Sequence, residues 1–95
     1  MLYKEYKSKI RADKIGKMGF VKMTKTEKVC HLFNSGEELL SRENTGFTIS
    51  LYLLEDFFVE VWYSSNHKMI ERIEVTSNDE VLENYDQSID LSSLF

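Results

Sequence analysis

The sequence predicts an α+β domain: a three- or four-stranded antiparallel sheet packed with a capped helix before it and a short helix after it. Three observations predict it. Thr24-Lys25-Thr26-Glu27 has capping-box spacing ahead of a helical apolar pattern. Phe47 to Leu53 and Phe57 to Tyr63 alternate at period two around Glu55-Asp56. Ser77-Asn78-Asp79 then opens a second helical stretch.

The elements follow in order along one domain. Residues 1–23 form a basic segment, 24–36 a helix, 37–76 the sheet, and 77–95 a short helix with an apolar tail. Within the first segment Leu2, Tyr6 and Ile10 recur every fourth residue, a thin apolar stripe for a short helix, before Gly16 and Gly19 interrupt it. The helix begun at Thr24 places Val29, Leu32 and Phe33 on one face and ends at Asn34-Ser35-Gly36, with Gly36 expected as a left-handed cap. Leu39-Leu40 reads as a short strand, and Asn44-Thr45-Gly46 is turn chemistry.

Register follows if one face of the sheet is apolar. Pairing Leu54 with Phe57 sets Leu51 beside Glu60 and mixes the faces, whereas pairing Leu53 with Phe57 gathers Phe47, Ile49, Leu51, Leu53, Phe57, Val59, Val61 and Tyr63 on one side. The third run, Met69 to Val75, then aligns Tyr63 with Met69, Val59 with Ile73 and Phe57 with Val75, and on the other face Glu60 with Arg72 and Trp62 with Ile70. Glu71 falls on the core side, which calls for a bulge or an exposed edge. Val81, Leu82 and Tyr85 carry the last helix, and Ile89-Asp90-Leu91-Ser92-Ser93-Leu94-Phe95 is apolar enough to dock.

Composition bounds the class. A chain of 95 residues with 42% hydrophobic and 13% aromatic content suits one core and is too apolar for a disordered segment. No apolar run approaches a membrane span and no signal-peptide pattern follows Met1. The single cysteine, Cys30, fits a reducing compartment, so a cytoplasmic protein is expected. Net charge is −4 but unevenly spread: residues 1–28 hold nine basic and three acidic side chains, residues 29–95 three basic and thirteen acidic. A solvated surface with mutually attracting halves accounts for this, as does a lobe that meets a polyanion or an acidic partner.

The segments Leu51-Tyr52, Asp56-Phe57-Phe58-Val59-Glu60-Val61-Trp62-Tyr63, Ile70-Glu71-Arg72-Ile73 and Tyr85 with Ile89-Asp90-Leu91 resemble a set of short, uncharacterised bacterial proteins. These share an aromatic-rich DF(Y/F)VEV hairpin and an ID(I/L)S.L ending. The resemblance spans roughly Gly36 to Leu94 and departs at the basic N-terminal segment. It implies the sheet and no activity.

Catalytic patterns are not matched. Cys30 and His31 are neighbours, so on a helix they diverge by about 100°; Cys30 is expected to be a small buried hydrophobe. Cys30, His31 and His67 are too few and too scattered for a structural zinc site, and His67 is expected to be exposed in a loop. Glu55-Asp56 and Asp79-Glu80 suit a turn and a helix start. No phosphate loop or nucleophile elbow is present, so neither catalysis, metal nor cofactor is expected. Gly16-Lys17-Met18-Gly19 resembles the GxxG loop of KH domains, but no strand precedes the first helix and Lys22 stands where that pattern wants an apolar residue. Phe58-Val59-Glu60-Val61 lacks the glycines and leading basic residue of an RNA-recognition strand.

The expectation that remains is non-catalytic binding. Tyr52, Phe58, Trp62 and Ile70, expected together on the second sheet face, form a candidate partner-binding patch unless a helix or the tail covers it. Small acidic inhibitors of nucleic-acid-handling enzymes, immunity proteins and anti-CRISPRs among them, share this size and charge, so a larger protein or ribonucleoprotein is the expected partner. Two other readings stand: RNA binding through Lys14, Lys17, Lys22, Lys25 and Lys28, and a structural subunit of an obligate assembly or homo-oligomer.

Overall fold

The structure, a computed structural model, describes residues 14–85; the expected stripe of Leu2, Tyr6 and Ile10 and the tail beyond Tyr85 lie outside them. Among the described residues three helices and four strands follow one another: α1 (Gly16–Val21), α2 (Lys25–Ser35), β1 (Glu37–Asn44), β2 (Phe47–Leu54), β3 (Phe57–Ser64), β4 (Met69–Thr76) and α3 (Asn78–Tyr85). The strands form one antiparallel sheet in the order β1-β2-β3-β4, so the architecture is α+β with helices before and after the sheet.

Local chemistry sets the helix ends. Thr24 Oγ1 accepts from the Glu27 amide (3.2 Å) while the Thr24 amide donates to the Glu27 carboxylate (2.9 Å), the full capping box of α2. Ser77 and Glu80 make the same reciprocal pair ahead of α3, both bonds at 3.1 Å. Gly36 is not left-handed: its φ is −87° and ψ 164°, because the chain passes straight from α2 into β1. Glycine is needed there for another reason. A Cβ would lie 2.7 Å from the Leu32 carbonyl oxygen and 3.0 Å from Leu32 Cδ1.

The hairpin β2–β3 has the two-residue turn Glu55-Asp56 and pairs Leu54 with Phe57, Tyr52 with Val59, Leu51 with Glu60 and Ile49 with Trp62. This corrects the register expected from the apolar pattern by one residue. The premise of a single apolar face fails because helices cover both faces. Leu54, Phe57, Val59, Val61 and Ile73 pack under Phe20 of α1 and Leu32 of α2. Leu51 and Phe58 pack under Val81 and Tyr85 of α3. A strand buried on both sides carries apolar residues at successive positions, and alternation then no longer specifies register.

Bulges interrupt both edge strands. In β1 the pairing jumps past Leu39, which lets the successive residues Leu39 and Leu40 both pack on the α3 side. In β4 the partners run Val59 with Val75, Val61 with Ile73 and Trp62 with Arg72, then skip Glu71 to pair Tyr63 with Ile70 and Ser64 with Met69. The bulge falls where a carboxylate would otherwise enter the core, as the pattern called for, while the expected pairings of Val59 with Ile73, Glu60 with Arg72 and Trp62 with Ile70 do not form. The β1–β2 turn, Thr45-Gly46, holds both residues at positive φ (37° and 84°), the mirror-image geometry that matches strand twist.

Candidate functional site

Pairing on the α3 side of the sheet builds two adjacent rows across all four strands. One row is Arg42, Ile49, Trp62 and Arg72; the next is Leu40, Leu51, Glu60 and Glu74. Glu60 is buried and stands directly opposite Glu74, a repulsive placement unless each carboxylate finds a cation or donor. Both do. Arg72 Nη1 lies 3.1 Å from Glu74 Oε2, and Arg42 Nη2 lies 3.3 Å from Glu60 Oε2. The Tyr85 hydroxyl donates to the same Glu60 oxygen at 2.9 Å. One carboxylate therefore ties the edge strand β1, the central strand β3 and the end of α3 together.

Electrostatics follow from that clamp. Burial first, and the Glu60 carboxylate second, push the Tyr85 phenol up to about 12, against the opposing pull of Arg42. Trp62 carries cations on its ring: the Arg72 guanidinium stands 3.9 Å from its centroid and that of Arg42 5.7 Å. Phe47 meets it edge-on at 5.4 Å. Trp62 Nε1 and Arg42 Nε are buried with no hydrogen-bond partner among the described residues.

The four expected patch residues do not come together. Phe58 and Trp62 point to the α3 side, Phe58 buried beneath α3, whereas Tyr52 and Ile70 belong to the opposite face beneath α1 and α2. Tyr52 stacks on Phe33 at 5.9 Å, and burial, helped by Glu38, raises its phenol pKa. The slipped register exchanges the faces of β2 relative to β3 and so moves Tyr52, while the bulge at Glu71 turns Ile70 away from Trp62.

The lysines fare differently. Lys14, Lys17, Lys22 and Lys25 are exposed and Lys28 half-buried, all on the α1–α2 layer or just before it. Lys25 Nζ donates to the Ile70 carbonyl of β4 (2.8 Å), and Lys28 Nζ stands 5.8 Å from the centre of the Phe20 ring. Gly16 and Gly19 lie within α1, so the GxxG stretch is helical and not a clamp loop. Cys30 is exposed, contrary to the expected buried hydrophobe, because α2 turns His31 and Leu32 inward instead. His67 is exposed and pairs with Glu71, the bulge residue.

Glu55 has a role that its turn position did not disclose. With φ at 56° it directs its carboxylate back to α1, accepting from the Ile15 and Gly16 amides at 3.2 and 3.1 Å. His31 Nε2 stands 3.8 Å from the same group. Glu60, Arg42, Tyr85 and Glu55 were the residues that sequence reasoning missed. An acidic residue between Val59 and Val61 in a strand was the one available signal, and the partner expected for it, Arg72, stands with Glu74 instead. Among the described residues no cluster of three histidine, cysteine or acidic side chains is placed to hold a metal.

Fold and site together define a two-faced α+β plate, a four-stranded meander held by a buried Arg–Glu–Tyr clamp. Compared with family models, curated proteins and solved structures, the chain matches none.

Proposed function

We propose that this domain is a non-catalytic binding protein that acts stoichiometrically on a larger partner, as an inhibitor of a nucleic-acid-handling enzyme in the manner of immunity proteins and anti-CRISPRs. One observation carries the reading: the helices on the two faces of the sheet differ in charge. The lysines of residues 14–28 lie with α1 and α2 on one side of the sheet, while Asp79, Glu80 and Glu83 of α3 lie on the other. An acidic layer of this kind complements the basic channel of an enzyme that handles nucleic acid, and it steers approach with that side forward. Among the described residues no helix is long and apolar enough to cross a membrane.

The test is capture of partners from nuclease-treated lysate of the native host by wild type, Glu83→Lys and Lys22→Glu. A protein captured by wild type and Lys22→Glu but lost with Glu83→Lys supports the acidic face as the contact. Capture that disappears on nuclease treatment refutes it. That outcome would favour the second reading, RNA binding, for which the exposed Lys14, Lys17 and Lys22 speak. Such binding weakens steeply with salt and falls for every RNA sequence when these lysines are reversed.

A further inference from the structure

We infer that the outer edge of β4 is a strand-addition site for an extended segment of the partner whose side chains alternate between apolar and basic. The inference rests on the reading above only in taking the partner to be a protein. It starts from the sheet order, which among the described residues leaves β1 and β4 as edges. An edge strand presents unpaired backbone groups, and proteins blunt such edges with bulges and charge. β1 is blunted along its length, with a bulge at Leu39 and Glu37, Glu38, Arg42 and Glu43 among its eight residues. In β4 the protection stops halfway. The Glu71 bulge and the Lys25 ammonium on the Ile70 carbonyl guard only its beginning. From Ile73 to Thr76 the pairing with β3 is regular, and the strand is free of bulges.

An open groove of about 500 Å³ runs beside that second half and wraps both sides of the strand. On the α1 side it is lined by Val21, Ile73 and Val75, with Val21 roughly half exposed. On the α3 side it is lined by Glu74, Glu80 and Asn84. A strand added to β4 has side chains that alternate between these two walls, because strand periodicity is two. The α1 wall takes apolar side chains, and Lys28 beside it, its ammonium near Phe20, disfavours a cation there. The α3 wall takes basic ones. Arg42 lines it with its guanidinium committed to Glu60, Glu74 is exposed although it also holds Arg72, and Asp79, Glu80 and Glu83 give the adjoining helix three carboxylates and no cation. Backbone pairing would supply affinity, and alternation the specificity.

The single tryptophan, Trp62, lines this groove and reports occupancy through its fluorescence. The experiment titrates the full chain with an acetylated and amidated hexapeptide of alternating valine and lysine. A peptide of three valines followed by three lysines is the control. The expected result is a saturable change in Trp62 emission, with the alternating peptide bound at least about tenfold more tightly than the block peptide. Glu74→Lys, an exposed site that leaves the core untouched, should weaken it by about tenfold, with circular dichroism verifying the fold. Equal binding of both peptides, or no binding of either, overturns the inference. Partner capture from lysate, measured alongside with Glu74→Lys, separates the two proposals. A protein captured equally by wild type and Glu74→Lys overturns strand addition at β4 and leaves the binding function standing.

Discussion

Replacing Tyr85 with phenylalanine tests whether the buried clamp organises the sheet. The substitution keeps the ring, which is buried against Leu51, Phe58 and Val81, and removes only the hydroxyl that donates to Glu60 at 2.9 Å. A hydrogen bond to a charged group contributes about 1.5–3 kcal/mol. Glu60 keeps Arg42 at 3.3 Å, which places the expected loss near about 2 kcal/mol. For a domain of this size that lowers Tm by roughly 8–16 °C. Urea unfolding should show a correspondingly earlier midpoint with unchanged slope. Alkaline pH supplies an independent reading. Because the folded phenol is pushed up from 10 to about 12, the unfolded chain loses its Tyr85 proton first. Stability from this group is therefore complete below pH 10 and disappears as pH rises through about 12, at most ~2–3 kcal/mol. The gap between wild type and Tyr85→Phe should close over that interval. A gap below about 0.3 kcal/mol at pH 7, or one constant up to pH 12, refutes the clamp as a stabilising element.

Three other perturbations address the ends of the helices. Thr24→Ala removes the reciprocal bonds with Glu27 and should cost about 1 kcal/mol in urea unfolding. Gly36→Ala places a methyl 2.7 Å from the Leu32 carbonyl oxygen, so α2 must shift; a net loss of about 1–2 kcal/mol is expected, and a neutral result would mean that the helix end gives freely. Glu55→Gln keeps the side-chain shape but weakens the bonds to the Ile15 and Gly16 amides, so hydrogen exchange at those two amides should accelerate by roughly tenfold, for about 1 kcal/mol. Unchanged exchange there would show that α1 is held by the apolar contacts of Phe20, Ile15 and Met23 and not by Glu55.

What could be read from the sequence was what a few adjacent residues decide. The caps at Thr24 and Ser77, the turn at Thr45-Gly46 and the bulge at Glu71 each depend on chemistry within four residues, and each is present. The β2–β3 register was not legible, because it depends on α3 covering the second face of the sheet. That error carried into the candidate patch, separating Tyr52 from Phe58 and Trp62, and the bulge at Glu71 turned Ile70 away as well. Glu60 meets Arg42 and Tyr85 across 18 and 25 residues, and Glu55 meets Ile15 and Gly16 across 40 and 39. No local pattern encodes such pairs. The lysines of the N-terminal third stood out by charge alone; their common layer comes from the fold, since two successive helices on the same side of a sheet keep their exposed residues together.

The strictly sequential strand order has a consequence for how the chain reaches this state. Every strand pairs with its successor through a turn of two or four residues, so the sheet can zip hairpin by hairpin without first closing a long loop. Relative contact order is thus low for a sheet protein, which favours rapid folding. The non-local contacts come mainly from the helices: Glu55 receiving α1, and Glu60 receiving α3. Docking of the two layers, rather than assembly of the strands, is then the step that makes folding cooperative.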